Sequence, residues 1–213
     1  DTFDWATSLE GKEILAGRKG GVPAMTFEYV LNNNGLYDGT NVTMNYDVNF
    51  DYMTAAFESG IADYCTMFEP TASDYEAAGK GYIVASVGEE SGEVPYTCFI
   101  AKESWLEENS ETADGFLRAV MRAIEYVKTT PSAECAELLA PYFDGTDVDA
   151  LATSLDSYKA IDAWQEDMTM TEDAFNRLLD IIDNAGELEK RVALTDLADV
   201  ERSAAVYAAL QAA

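Results

Sequence analysis

The sequence predicts an α/β protein in which a small, mostly parallel sheet is followed by a helical C-terminal portion. In the first half of the chain, short β-type runs alternate with amphipathic helical patterns, and a glycine closes each helical pattern. Such alternation is typical of βαβ units, whose strands are parallel. From Ser104 onward, apolar residues recur at helical spacing only. Together these observations favour one small α/β lobe and a separate set of helices.

The strands and their connecting helices follow from local composition and glycine signals. Three helices fill the gaps between the first four strands: one that carries Phe27 and Leu31 and ends at Gly35, one over about residues 51–59, and one over about residues 71–78. Five runs rich in β-branched and aromatic residues are predicted as strands: Glu13–Gly17, Val42–Asp47, Ile61–Phe68, Tyr82–Val87 and Val94–Ala101. The last helix is expected over Val200–Leu210.

Composition excludes several function classes. The chain has 213 residues, with 40 acidic against 13 basic side chains and a formal charge of −27, which repels nucleic acid and anionic membrane surfaces. Histidine is absent, so Ser-His-Asp and Cys-His nucleophile systems and most zinc sites are excluded. The three cysteines are widely spaced and are expected to be buried free thiols. No segment approaches the length of an apolar transmembrane helix, and the first residues do not form a signal peptide.

The turn after the first predicted strand is the first candidate binding site. In GRKGGVPAM, residues 17–25, glycines allow close approach of the backbone to a ligand, and Pro23 suits the first turn of a helix. The N–H groups of Val22, Ala24 and Met25 are then expected to face outward. Arg18 and Lys19 add positive charge beside Gly20 and Gly21. The segment is either a plain strand-to-helix turn or a site for a small polar or anionic group.

Two further strand ends carry candidate ligand contacts. Tyr46 and Asn49 follow the second strand, and Phe68 and Glu69 follow the third. The carboxyl ends of parallel strands lie at one edge, where open α/β sheets bind ligands. Phe68 could stack on a flat ligand and Glu69 could accept N–H donors, although an exposed loop glutamate is equally compatible with the sequence. Tyr96 could reach the same cleft or be buried.

The order of these segments resembles a known family. LEGKEILAGRKGG, then AAFESGIADY with Phe57, Gly60 and Asp63, then VPYTCFIA are similar to solute-binding proteins of ABC importers, closest to the NMT1/THI5-like group. That group includes receptors for nitrate, sulfonates and thiamine-pyrimidine precursors. The resemblance implies a periplasmic-binding-protein type 2 fold, capture of a small solute by closure of two lobes, and an ABC permease in the membrane as partner.

The resemblance also implies a division of the chain and a location. Residues 1–94 correspond to the second lobe, and residues 95–213 to a crossover strand and C-terminal helices that complete the first lobe. An N-terminal half-lobe of the family is then missing, so a fragment that could self-associate is expected. The protein is expected outside the cytoplasm, as a surface lipoprotein or in a periplasm, with its signal segment outside this chain.

The expected activity is capture without a cofactor or metal. The binding residues implied are Arg18, Gly20, Gly21, Met25, Tyr46, Asn49, Phe68, Glu69 and Tyr96. The expected solute is a flat N-heterocycle or a sulfonate-like molecule. Aromatic rings beside a carboxylate suit a flat, N–H-bearing heterocycle, whereas a bare oxyanion would favour Arg or Lys at position 69. A sensor or adaptor domain with the same capture fold is an alternative. A pyrimidine synthase on this fold depends on an active-site histidine and a cysteine-rich stretch, which this chain lacks.

Overall fold

The computed structural model describes residues 2–212, which fall into two compact units. One unit comprises the residues up to Val94 together with Asn176–Arg191, and the other comprises Pro95–Phe175 with the residues from Val192 on. The predicted α/β class, a small parallel lobe followed by a helical portion, is confirmed. It is consistent with part of a periplasmic-binding-protein-like fold. The assignment of residues 1–94 and 95–213 to two lobes of a binding protein stays a prediction.

The first unit is built on a three-stranded parallel sheet. Its strands β1 (Glu13–Leu15), β2 (Thr43–Asn45) and β3 (Tyr64–Cys65) lie in the order β2-β1-β3. Ile14 of the central strand is paired with Met44 on one side and with Tyr64 on the other. The sheet therefore has the alternation of parallel strands and connecting helices that the sequence predicts.

The second, third and fourth helices of this unit begin and end close to the predicted positions, whereas the sequence predicts no helix where the first and fifth lie. The helices are α1 (Trp5–Ser8), α2 (Val22–Asn33), α3 (Met53–Glu58, preceded by a 3-10 turn at Phe50–Tyr52), α4 (Thr71–Ala77) and α5 (Val87–Ser91). Helix α2 buries Phe27, Val30 and Leu31, and its chain leaves through Gly35 at φ +78°. Its apolar face packs in one core cluster with β1 and β2, whose members include Leu9, Ile14, Leu36, Val42 and Met44.

Asp63 explains the spacing of the AAFESGIADY segment. Gly60, at φ +82°, ends α3, and the chain then reaches the start of β3. The amide of Asp63 donates to the carbonyl of Glu13 at 2.9 Å, and its carboxylate accepts from the amide of Glu13 at 3.1 Å. The hydrogen bond from the amide of Glu13, together with the charge of Lys12, lowers the pKa of Asp63, although burial opposes this effect. The segment thus fixes where β3 joins the central strand.

The predicted strands Tyr82–Val87 and Val94–Ala101 are wrong. Ser86 accepts a hydrogen bond from the amide of Glu89 and starts α5, so Val87 is helical. Residues 94–101 form no ladder with another strand within the described chain, and Ile100 is 90% exposed. A β-rich composition gives a strand only where a neighbouring strand supplies hydrogen bonds. Cys98 on this segment is exposed, against the expectation of a buried thiol, whereas Cys135 is buried.

The second unit is helical. Its helices are α6 (Glu103–Glu108), α7 (Ser110–Thr129), α8 (Ser132–Leu139), α9 (Val148–Ala160) and α11 (Val200–Gln211), while α10 (Glu172–Asn184) begins in this unit and ends in the first. Helices α8 and α9 share a small core around Cys135 and Leu155. Arg202 joins α11 to α7 through an ion pair with Asp114 at 2.8 Å. No helix among residues 2–212 is long and apolar enough to cross a membrane.

Candidate functional site

The turn between β1 and α2 has the tight backbone that its glycines predict. Gly17 and Gly20 adopt φ values of +99° and +73°, which favour glycine. The amide of Gly21 donates to the carbonyl of Arg18 at 3.0 Å, and Gly21 is the N-cap residue of α2. The amide of Met25 donates to the carbonyl of Gly21 at 3.0 Å, so the expectation that this N–H faces outward is wrong. The first helical bond of α2 already uses it.

A cavity of about 160 Å³ lies beside this turn, entirely within the first unit. Lys19 and Gly20 reach it from the end of β1, and Tyr46 from the end of β2. It therefore borders the carboxyl ends of two parallel strands, where the sequence predicts ligand contacts. Three predicted residues, Gly20, Met25 and Tyr46, line it. The other lining residues are Lys19, Glu28, Asp38, Ala185 and Glu187.

Tyr46 forms the aromatic wall of the cavity. Its ring packs against the core cluster of the first unit, and its hydroxyl donates to Sδ of Met44 at 3.5 Å. The ammonium of Lys19 lies 5.6 Å from the ring centroid, within the range of a cation–π contact. Burial, followed by the charges of Glu28 and Asp38, raises the pKa of Tyr46 to about 12. Tyr46 therefore stays a neutral phenol at physiological pH.

Three carboxylates from three parts of the chain line the same cavity. Glu28 lies on α2, one turn after Met25, and Asp38 lies on the loop before β2. Asp38 is fixed by accepting a hydrogen bond of 2.7 Å from the amide of Met44. Glu187 follows α10, and its Oε1 would lie 3.9 Å from a Cβ placed on Gly20. Against these three negative charges the cavity has one positive charge, that of Lys19.

The surroundings of Glu28 disfavour its ionised form. It is half-buried, and no described residue donates a hydrogen bond to it or forms an ion pair with it. Burial and then the charge of Asp38 raise the pKa of Glu28, and the charge of Lys19 opposes this only in part. The ionised form of Glu28 is thus less stable in the folded protein than in the unfolded chain.

We expect Glu28→Gln to raise the free energy of unfolding at pH 7. Because the pKa of Glu28 is higher in the folded protein than in the unfolded chain, the folded protein binds the proton more tightly. The free energy of unfolding therefore falls as the pH rises from the unfolded pKa of Glu28 through its folded pKa. The variant is therefore more stable than the wild type at pH 7, and the difference closes as the pH falls towards 4.5. Urea unfolding of both proteins between these pH values measures it. A difference that does not change with pH contradicts a raised pKa.

The other predicted residues lie outside the cavity lining. Arg18 is exposed, and Asn49 accepts a hydrogen bond from the amide of Asp51 at 3.2 Å. The ring of Phe68, after β3, lies 6.0 Å from the ring of Phe50, in the 3-10 turn before α3. Tyr96 is 56% exposed and belongs to the second unit. The binding roles of these residues stay predictions.

Glu69 has a structural role in the first unit. Its carboxylate accepts from the amide of Ser73 at 3.0 Å and from the Ser73 hydroxyl at 2.9 Å. The first of these bonds gives a partner to an amide in the first turn of α4, where the helix itself supplies none. A structural role for this side chain is therefore visible, and its role as an acceptor for a ligand stays a prediction.

Sequence reasoning missed most of the acidic side of the cavity. Glu28 could have been found, because it lies three residues after Met25 and so on the same face of α2. Asp38 and Glu187 carry no such signal. They are separated by almost 150 positions (187 − 38 = 149) and meet only in the folded chain.

A second cavity, of about 300 Å³, lies in the helical unit, and the lysine on its wall is already paired with two carboxylates. Lys128 on its wall pairs with Asp162 at 2.7 Å and with Glu166 at 2.9 Å. No group of His, Cys, Asp or Glu suited to a metal ion occurs in the part of the chain that the structure describes. The first cavity is therefore the better candidate for a binding site.

Comparison with known proteins gives two matches. The model of the NMT1-like family matches residues 6–140. A protein of Bacillus subtilis (strain 168) named "Putative binding protein YtlA" is 39% identical over 199 residues, which is 93% of this chain and 59% of that protein. The chain thus spans about three-fifths of the length of the curated relative it matches. The family match includes the turn, Glu28, Asp38 and Tyr46.

Proposed function

The chain belongs to the NMT1-like family, and from this premise we propose that it captures a small solute in the cavity beside the turn between β1 and α2. The observation that carries the proposal is the convergence of Gly20, Met25 and Tyr46 on one cavity at the carboxyl ends of β1 and β2. The turn after β1 supplies Gly20, the end of β2 supplies Tyr46 and helix α2 supplies Met25, at the edge where other open α/β sheets bind ligands.

The proposed activity is capture and release, not catalysis. The cavity has a neutral phenol, an ammonium and three carboxylates, and it offers no histidine or cysteine as a nucleophile. The similarity to a protein named as a binding protein supports the same conclusion. In the intact protein we propose that two lobes close on the solute, because a ligand that contacts both lobes favours the closed state.

The proposed setting is an ABC importer outside the cytoplasm. The closed, loaded protein would dock on a membrane permease, either as a surface lipoprotein or in a periplasm. The high negative charge of the chain suits such a medium and disfavours anionic surfaces. This setting rests on the family and on the resemblance of the sequence to importer receptors.

The proposed solute is a small, flat N-heterocycle, with a sulfonate as the competing class. A cavity of this size is close to the roughly 150 Å³ that holds one benzene molecule, so a single substituted ring fits. Tyr46 offers an aromatic wall, and Glu28 offers an acceptor for N–H groups. A sulfonate would meet three carboxylates, which disfavours it.

A thermal-shift panel on this chain tests the proposal. We expect one class among aminopyrimidines, aminopyridines, taurine with alkanesulfonates, and nitrate to raise the unfolding temperature. A ligand present at about 100 times its Kd adds roughly 2.7 kcal/mol to the free energy of unfolding. Tyr46→Leu should remove the shift, whereas the matched variant Tyr142→Leu, at an exposed position of the second unit, should keep it. A cooperative transition that no class moves contradicts the proposal.

A further inference from the structure

We infer that the cavity selects a solute with a positively charged nitrogen, which the half-buried Glu28 and the face of Tyr46 recognise. This inference rests on the proposed function and deepens it by fixing the charge class of the ligand. It does not follow from the carboxylates alone. It needs a cavity of molecular size, an aromatic face that already holds a cation, and a carboxylate without a partner.

The ring of Tyr46 already has a cation, the ammonium of Lys19, over its face. The ammonium of Lys19 lies 5.6 Å from the ring centroid, and the structure gives it no carboxylate partner within ion-pair distance among the described residues. The electron-rich face of the ring attracts a cation, and two nearby carboxylates on Glu28 and Asp38 strengthen the field there. A ligand cation at the open part of the cavity would meet the same ring and the same charges.

Glu28 contributes the specificity. Asp38 and Glu187 are exposed, so solvent and salt screen much of their charge. Glu28 is half-buried on α2, where its charge is screened less. Burial and Asp38 already disfavour its ionised form, and a bound cation would relieve this cost. A neutral ligand gives no such relief, and an anion makes it worse.

Lys19 does not neutralise the cavity. Its single charge faces those of Glu28, Asp38 and Glu187, so the lining has a net charge of −2 (1 − 3). Lys19 is itself exposed, on the flexible stem of a lysine, and can move towards solvent when a ligand approaches. The net negative charge of the lining therefore favours the binding of one further cation.

Three probes of nearly the same shape test the charge class at pH 7. They are 4-aminopyridine, which is a cation, 4-aminopyrimidine, which is neutral, and isonicotinate, which is an anion. We expect calorimetric titration to give at least about tenfold tighter binding for the cation than for the neutral ring, and no measurable binding for the anion. Higher salt should weaken the cation more than the neutral ring.

Glu28→Gln is the decisive variant. It should reduce the preference for the cation by about tenfold while the protein without ligand becomes more stable at pH 7. Glu10→Gln, at an exposed position that does not line the cavity, should leave the preference unchanged. Glu187→Gln should also reduce the preference for the cation, but by less. If Glu28→Gln does not fold, Glu187→Gln still tests the inference.

The outcomes separate this inference from the proposed function. If the neutral or anionic probe binds as tightly as the cation, or if Glu28→Gln leaves the preference unchanged, the inference is overturned. The proposed function then stands, provided that Ala185→Phe, which places a phenyl ring in the cavity, abolishes binding of the probe. If none of the three probes or the wider panel binds to the folded chain, both are overturned. A cation preference that Glu28→Gln abolishes and Glu10→Gln preserves supports both.

Discussion

Leu31→Ala is expected to lower the free energy of unfolding by about 3 kcal/mol, within the usual range of roughly 2–5 for such a substitution in a core. Leu31 is fully buried on α2, in the core cluster that joins this helix to β1 and β2. Removing most of the side chain forfeits apolar burial and leaves a void that the sheet and helix fill only in part.

Urea unfolding, followed by far-UV circular dichroism, measures this change. Leu197→Ala provides the matched control, because Leu197 is 70% exposed and its truncation should change the free energy of unfolding by less than about 0.5 kcal/mol. A loss below about 1 kcal/mol for Leu31→Ala would show that α2 does not pack on the sheet as described. The cavity residues Met25 and Glu28 would then lack a rigid support.

Ala185→Phe is expected to block the binding of solute almost completely. Ala185 lines the cavity at the end of α10, and a phenyl ring at this position occupies much of its roughly 160 Å³. The substitution removes no charge and no hydrogen bond from the cavity. The affinity for the solute should fall by at least about tenfold, while the unfolding temperature without solute changes little.

The control for this variant adds the same ring elsewhere. Ala78, the C-cap residue of α4, is exposed and does not line the cavity. Ala78→Phe should therefore bind solute as the wild type does. An Ala185→Phe protein that keeps full affinity would place the solute outside this cavity, even if the chain binds it.

The first unit could be predicted from sequence where local patterns decide the structure. The strands around Ile14, Met44 and Tyr64 and the helices between them follow from apolar periodicity and from glycines such as Gly35 and Gly60. Each of these signals lies within a few residues of the element it ends or begins. The resemblance to the NMT1/THI5-like group is confirmed at the level of the family.

The failures occur where partners distant in sequence decide the outcome. Residues 94–101 have a strand-like composition, yet a strand needs a neighbour, and none pairs with them in the described chain. Cys98 is exposed for the same reason. The acidic side of the cavity was not predicted either, because Asp38 and Glu187 approach Glu28 only through the packing of loops around α2.

An NMR titration tests most directly whether this cavity captures a solute. The probe with the largest thermal shift is added to the ¹⁵N-labelled 213-residue chain, and amide shifts are followed to saturation. We expect the amides of Gly20, Glu28, Asp38 and Glu187 to shift together with one dissociation constant, while those around Lys128 and Asp162 in the second cavity stay unchanged. Saturable shifts confined to any other surface, with these four amides unmoved, would contradict the assignment of the binding site.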